Sequence, residues 1–250
     1  MIRELHIFKT PEELANQLAL QLMGWIGEQS GKAFFHLAIS GGKTPEMLFA
    51  ILAQKYVDSM QWQKVHFWWV DERMVSPDDP ESNFGIANRL LFSQIGIHED
   101  NIHRIKGEND PEAEVLSYSE QIQGKLTLQN GWPTFDLILL GMGDDGHTAS
   151  IFPNQIHLID SNRICEVAIH PQSGQKRVTL TGRVINNALK VCFIVTGISK
   201  ADRLAEIWEN KEKANLLPAA HIHPEGGLLA WYVDKAAVKM GDAPIKRPIT

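Results

Sequence analysis

Leu137-Ile-Leu-Leu-Gly-Met-Gly-Asp-Asp-Gly-His-Thr-Ala-Ser-Ile-Phe-Pro153 is the stretch whose reading decides the fold. Four apolar residues run directly into glycines, two acids and a histidine. Apolar character without polar alternation marks a strand covered on both faces. The break at Gly141 then marks its carboxyl end, where a parallel α/β sheet presents its ligand-binding groups.

The rest of the chain repeats this grammar. Phe34–Ser40, Val65–Val70, Phe135–Leu140, Val191–Thr196 and Leu228–Val233 read as buried strands, and Arg177–Leu180 as a short extended segment. Helical composition covers Pro45–Tyr56, Pro111–Lys125 and Ala201–Glu209, with a turn of helix near Val184–Leu189. Ser82 is placed to cap a helix from Asn83 to about Gln94. Strands alternating with helices predict an α/β fold with a mainly parallel sheet, helices on both faces and Rossmann-like layering. The Pro-, Asp- and Gly-rich loops at 76–81 and 107–111 are too short to be linkers, so residues 1–250 are expected to form one domain.

Bulk properties exclude several functions. Of the 250 residues 44% are hydrophobic, enough for a packed core, and the formal net charge is −6. No basic field is available for nucleic acid or an anionic membrane surface, so any anion must be held locally. No apolar run approaches the ~20 residues of a membrane span. The start, Met1-Ile-Arg-Glu-Leu-His, does not read as a signal peptide. Cys165 and Cys192 sit in β-like apolar runs and are expected to be buried thiols in a cytoplasmic protein.

Four strand ends carry chemistry: Ser40-Gly-Gly-Lys-Thr-Pro45, Asp71-Glu-Arg73, Gly141 to Ser150, and Gly197-Ile-Ser-Lys200. Gly41 and Gly42 let a backbone approach a ligand, the following helix offers unpaired N–H groups to a phosphate, and Ser40 and Thr44 bring hydroxyls. Gly141-Met-Gly-Asp-Asp-Gly146 matches the dinucleotide expression, but Asp144 and Asp145 would oppose a pyrophosphate, and Pro153 follows where a long helix is needed. His147 beside Asp145 reads instead as an acid/base group with an orienting carboxylate. In an extended segment at most two of Asp71, Glu72 and Arg73 face one side. Arg177 and Lys200 are the remaining cations near strand ends, suited to a phosphate. His221-Ile-His223 would put two rings on one side of a strand, but without a third ligand at metal spacing it reads as structural, and no metal is expected.

At these residues the chain resembles the 6-phosphogluconolactonase family, within the larger group that includes glucosamine-6-phosphate deaminase. The marks are Ser40 to Pro45, Val70-Asp-Glu-Arg73 with Ser82-Asn83, Gly141 through Pro153, Arg177-Val-Thr-Leu-Thr181 and Gly197 to Lys200. Leu217-Pro-Ala-Ala, Pro224-Glu-Gly-Gly and Trp231 also fit. The resemblance implies hydrolysis of 6-phospho-D-glucono-1,5-lactone to 6-phosphogluconate, in the oxidative pentose phosphate pathway, without organic cofactor or metal. It implies that His147 is the base, that Asp71, Arg73 and Asp145 line the reacting end, and that Ser40–Thr44, Arg177 and Lys200 hold the phosphate. The expected partner is a phosphorylated sugar lactone, and the expected assembly a monomer or small homo-oligomer. The deaminase branch carries Asp-Glu-Tyr where this chain has Asp71-Glu-Arg73, and a glutamate where it has Phe152. Both differences point to the lactonase. A non-enzymatic sugar-phosphate sensor is the other alternative; it would call for a basic helical region before Phe34, which is not seen.

Overall fold

A computed structural model describes residues 2–28, 33–59 and 61–238. The alternation is present and starts earlier than Phe34, with strand β1 (Ile2–Phe8) and helix α1 (Pro11–Gly27). Next come β2 (Phe35–Ile39), α2 (Lys43–Lys55), β3 (Val65–Trp69), β4 (Asp71–Arg73), α3 (Asn83–Ala87), β5 (Ile102–His103) and α4 (Pro111–Lys125). A small hairpin, β6 (Leu128–Gln129) and β7 (Trp132–Pro133), precedes β8 (Leu137–Leu140). The chain continues through β9 (Cys165–Ile169), β10 (Lys176–Leu180), α5 (Gly182–Asn186), β11 (Lys190–Val195), α6 (Ala201–Trp208) and β12 (Leu228–Asp234).

Seven strands form one sheet in the order β1-β12-β11-β8-β2-β3-β5, and every pairing in it is parallel. Every residue of β3 and β8 is buried, so the centre of the sheet is covered on both faces, as continuous apolar strands require. Trp68, Trp69 and Trp231 lie fully in this core, and Cys165 and Cys192 are free, buried thiols. From β2 the chain winds outward through β3 to β5; from β8 it winds the other way through β11 to β12. The sheet's direction of travel therefore reverses between β2 and β8. Such a switch leaves a crevice outside the carboxyl ends, because the two connections depart to opposite sides.

A second sheet, β4-β10-β9, is antiparallel and sits across these carboxyl ends. It pairs Arg177 with Arg73 and Thr179 with Asp71. The segment from 177 thus crosses to the site through a pairing that no local pattern announces.

Three local expectations change. The helix after Ser82 is α only to Ala87 and then widens to a π-turn over Asn88–Phe92, in which Ser93 N donates to Asn88 O. The helical turn expected near Val184 starts earlier, at Gly182. His221 and His223 do not lie on a strand: Pro218–His221 forms a 3-10 turn, tied down by Ala219 N donating to Gly146 O, and His221 Nε2 donates to Asn215 O.

Candidate active site

The carboxyl ends of β11, β8, β2 and β3 are neighbours, and a cleft of about 380 Å³ opens over them. Ser40, Gly41, Gly42 and Thr44 line it after β2, with Asp71 and Arg73 after β3. His147 lines it after β8, Lys200 after β11, and Arg177 enters from β10. Asp145 is the one sequence-predicted residue outside the lining, and it stands directly behind the imidazole.

Asp145 Oδ1 lies 2.6 Å from His147 Nδ1 and also accepts from His147 N at 3.0 Å. Burial pushes the Asp145 carboxyl up, but the hydrogen bond and charge of His147 and the backbone amides outweigh it and hold the group at about 2. It is therefore an ionised acceptor. That assigns the proton to Nδ1 and leaves Nε2 as the lone-pair nitrogen. Two neighbours fix the ring. Phe152, fully buried, packs against it at 4.9 Å between centroids. Gly143 gives it room, since a Cβ there would stand 2.1 Å from Nδ1.

The β3 end shows which acids face the cleft. Asp71 and Arg73 line it, whereas Glu72 turns back. Glu72 accepts from the amides of Arg73, Asn83 and Phe84, each at 2.8 Å, and from Ser82 Oγ at 3.2 Å. Burial raises its pKa against these bonds. It is the bracket that folds the 82–84 segment onto β4. Asn83 then lines the cleft and donates Nδ2 to Asp71 O at 2.9 Å. Asp71 Oδ2 accepts from Ser150 Oγ at 2.6 Å, and Arg177 Nη1 reaches Ser150 Oγ at 3.3 Å. Arg177 also lies over the Phe152 ring, and burial lowers its pKa from the usual value.

The glycine turn after β2 has the form of an anion cradle. Gly42 sits at φ +114°, a region open to glycine, and starts α2 without a side-chain cap. α1 and α4 do carry such caps, from Thr10 and Asp110. The first amides of α2 are thus left for a ligand, at the positive end of its dipole. Thr44 Oγ1 and Thr196 Oγ1 are 2.8 Å apart at this end of the cleft. Lys200 Nζ pairs with Asp144, whose carboxyl is held below the usual range first by that hydrogen bond.

Asn83, Ser150, Thr196 and Phe152, to which the sequence alone assigns no role in the site, complete it. Asn83 and Ser150 stand inside the Ser82-Asn83 and Gly141–Pro153 motifs; Thr196 follows β11 directly, before Gly197. Ser40 Oγ, Arg73 Nε, Asn83 Oδ1 and Arg177 Nε are buried without a protein partner, and all four residues line the cleft. Buried polar atoms are normally satisfied, so four unpaired ones on residues of one cleft mark a wall suited to a polar ligand. Among the described residues no group of three or more His, Cys, Asp or Glu is placed to hold a metal ion. No helix among them is long and apolar enough to cross a membrane.

Residues 9–231 match the family model described as glucosamine-6-phosphate isomerases/6-phosphogluconolactonase. The chain belongs to this family. A 6-phosphogluconolactonase of Haemophilus influenzae is 46% identical over 206 residues, covering 82% of this chain and 87% of that protein. The crystal structure of devB protein superposes with a TM-score of 0.88 at 43% identity, covering 94% of this chain and 98% of that one. The 6-phosphogluconolactonase of Thermotoga maritima gives a TM-score of 0.81 at 27% identity, covering 93% of this chain and 100% of that one. The mainly parallel α/β fold is thus the fold of the family's lactonase members.

Proposed function

We propose that this chain hydrolyses 6-phospho-D-glucono-1,5-lactone to 6-phospho-D-gluconate, with His147 as general base on water. The observation that carries the reading is one cleft holding both an Asp145-oriented imidazole and the uncapped amino end of α2. A base and an anion cradle on one wall suit a substrate with a reactive carbonyl at one end and a phosphate at the other. Relatives at this similarity are named 6-phosphogluconolactonase.

The chain's residues divide the work as follows. His147 Nε2 removes a proton from the water that attacks the lactone carbonyl, and Asp145 stabilises the resulting imidazolium. Arg73, whose Nε is unpartnered, stabilises the tetrahedral oxyanion. The imidazolium returns its proton to the departing ring oxygen. Asp71, fixed by Ser150, accepts from sugar hydroxyls. Gly41 through Thr44, Lys200 and Arg177 bind the phosphate and so set the distance from anchor to base. Gly41 through Thr44, His147 and Lys200 follow strands of the seven-stranded sheet, while Asp71, Arg73 and Arg177 lie on the three-stranded sheet; one cleft built from both sheets supports the reading of residues 1–250 as a single domain.

Phe152 argues against deaminase chemistry. It is fully buried against His147, and it offers no proton at the position where that branch carries a glutamate. An assay of 6-phosphogluconate formation above the spontaneous rate tests the reading, run beside ammonia release from glucosamine 6-phosphate. Acceleration of the first and none of the second is expected; the reverse would replace the proposal with the deaminase.

A further inference from the structure

Seven buried side-chain N and O atoms lack a protein partner among the described residues. Four belong to the cleft. Two others, Arg3 Nε and Trp231 Nε1, belong to residues that line one further cavity. This cavity has a volume of about 120 Å³. It lies toward the amino ends of β1 and β12, where Arg3 and Leu229 are register partners, away from the carboxyl ends that form the cleft. The end of α6 and the turns that follow it close the cavity through Ile207, Ala214 and Ala219.

The polar lining comprises Arg3, Trp231, His221, His223, Asn210 and Asn215; among the described residues it contains no carboxylate, and Arg3 is its one cation. Trp231 is 1% exposed, and its indole nitrogen can only donate. The Arg3 guanidinium stacks 4.1 Å from the Trp208 ring centroid and gives Nη2 to Ile207 O at 3.4 Å. That contact covers the carboxyl end of α6 and uses one of five donors, leaving Nε. Burial lowers the Arg3 pKa, and no neighbouring carboxylate is among the causes that act on it. His221 and His223 stand on the same wall. The His223 imidazole is held below its usual value, first by burial and then by the charges of Arg3 and His221, against a bond to Ala220 that raises it. A partly buried cation with no counter-charge is costly, and nearby groups normally supply one.

We propose that this cavity binds one small tetrahedral oxyanion of the inorganic phosphate class, taking hydrogen bonds from Arg3 Nε and Trp231 Nε1. An indole N–H requires an acceptor, and an anion both accepts from it and neutralises the guanidinium that lines the same cavity. Size sets the class. About 120 Å³ is some four water volumes, far below the ~300 Å³ at which pockets begin to hold organic ligands. A sugar phosphate, which needs the larger cleft, is excluded.

The test is a titration of the full-length 15N-labelled protein with inorganic phosphate at constant ionic strength, with chloride as the balancing salt. The Trp231 indole N–H and Arg3 Nε–H signals are expected to shift saturably with phosphate and not with chloride, and the His223 ring to titrate at higher pH when phosphate is present. Trp231→Phe assigns the indole signal by its disappearance. Arg3→Met should weaken the apparent affinity at least ~10-fold, since a charge-assisted bond is removed, while lactone hydrolysis is unchanged. Lys200→Ala, in the cleft, should leave the Trp231 shift intact. A linear, unsaturated drift, an equal response to chloride, or an undiminished response in a folded Arg3→Met protein overturns the proposal. If Arg3→Met does not fold, the wild-type titration and the His223 response decide the matter alone.

Discussion

Gly143→Ala is the substitution whose consequence follows most closely from geometry. A Cβ at position 143 would lie 2.1 Å from His147 Nδ1, 2.2 Å from its Cε1 and 2.8 Å from Asp145 Oδ1. Ordinary contact begins at 3.4 Å, so the imidazole must withdraw by about 1.3 Å or the loop must open by as much. The ring has little room to retreat, because Phe152 is packed against it and is itself fully buried. Gly143 does not occupy the left-handed region, so alanine is compatible with its backbone. The damage is therefore expected in placement of the base and not in folding. A misplacement of about 1 Å at a reacting group costs roughly 10²-fold in rate. Gly143→Ala should lower kcat for 6-phosphogluconolactone by about 10²-fold, with KM close to wild type and Tm lower by several degrees from the overpacking. The assay is 6-phosphogluconate formation after subtraction of spontaneous hydrolysis, beside a thermal melt. A kcat within about threefold of wild type in a folded protein would refute the placement of the ring against Gly143.

Further outcomes follow from the same contacts. Glu72→Ala strands the buried amides of Arg73, Asn83 and Phe84 and should cost about 3 kcal/mol or more; chemical denaturation measures it, and catalysis should fall as Asn83 and Arg73 lose their support. Arg177→Lys keeps the charge and loses the planar fork near Ser150 and Asp71, so KM should rise by about 10-fold with a smaller change in kcat, read from steady-state kinetics. Burial, and then the charges of His66, Lys125 and His36, hold the His103 imidazole at about 3 against an ordinary 6.5. Between those values the unfolded chain binds the proton and the folded chain does not, so stability should fall as pH drops from about 6.5 toward 3. Melts across that window should show the slope, and replacing both His66 and His103 by leucine should flatten it.

The fold was legible where a residue pattern reports burial directly. β2, β3, β8, β11 and β12 announce themselves as apolar runs because the sheet centre is covered on both faces. β1 is hard to read because it is an edge strand, paired with β12 alone among the described strands, and its Arg3, Glu4 and His6 break the apolar run. α1 carries a readable signal: Thr10 caps it, Pro11 opens it, and Leu14, Leu18 and Leu22 recur at four-residue spacing on its buried side. At the site, alternation limited how many of residues 71–73 could enter the cleft. Which of them did depended on the Glu72 bracket to residues 82–84, a contact ten and more positions away. Arg177 reaches the cleft through antiparallel pairing across a hundred residues, and sequence spacing carries no information about that register. The packing of Phe152 between His147 and Arg177 is likewise a property of the folded loops alone.

The central claim is that His147 Nε2 takes the proton from water, and the kcat of His147→Gln measures it most directly. The variant keeps a polar side chain of similar reach and removes the base. A loss of about 10²–10⁴-fold, with an unchanged melt and retained binding of 6-phosphogluconate, is the predicted result. A folded variant that turns over the lactone at close to the wild-type rate would contradict the account.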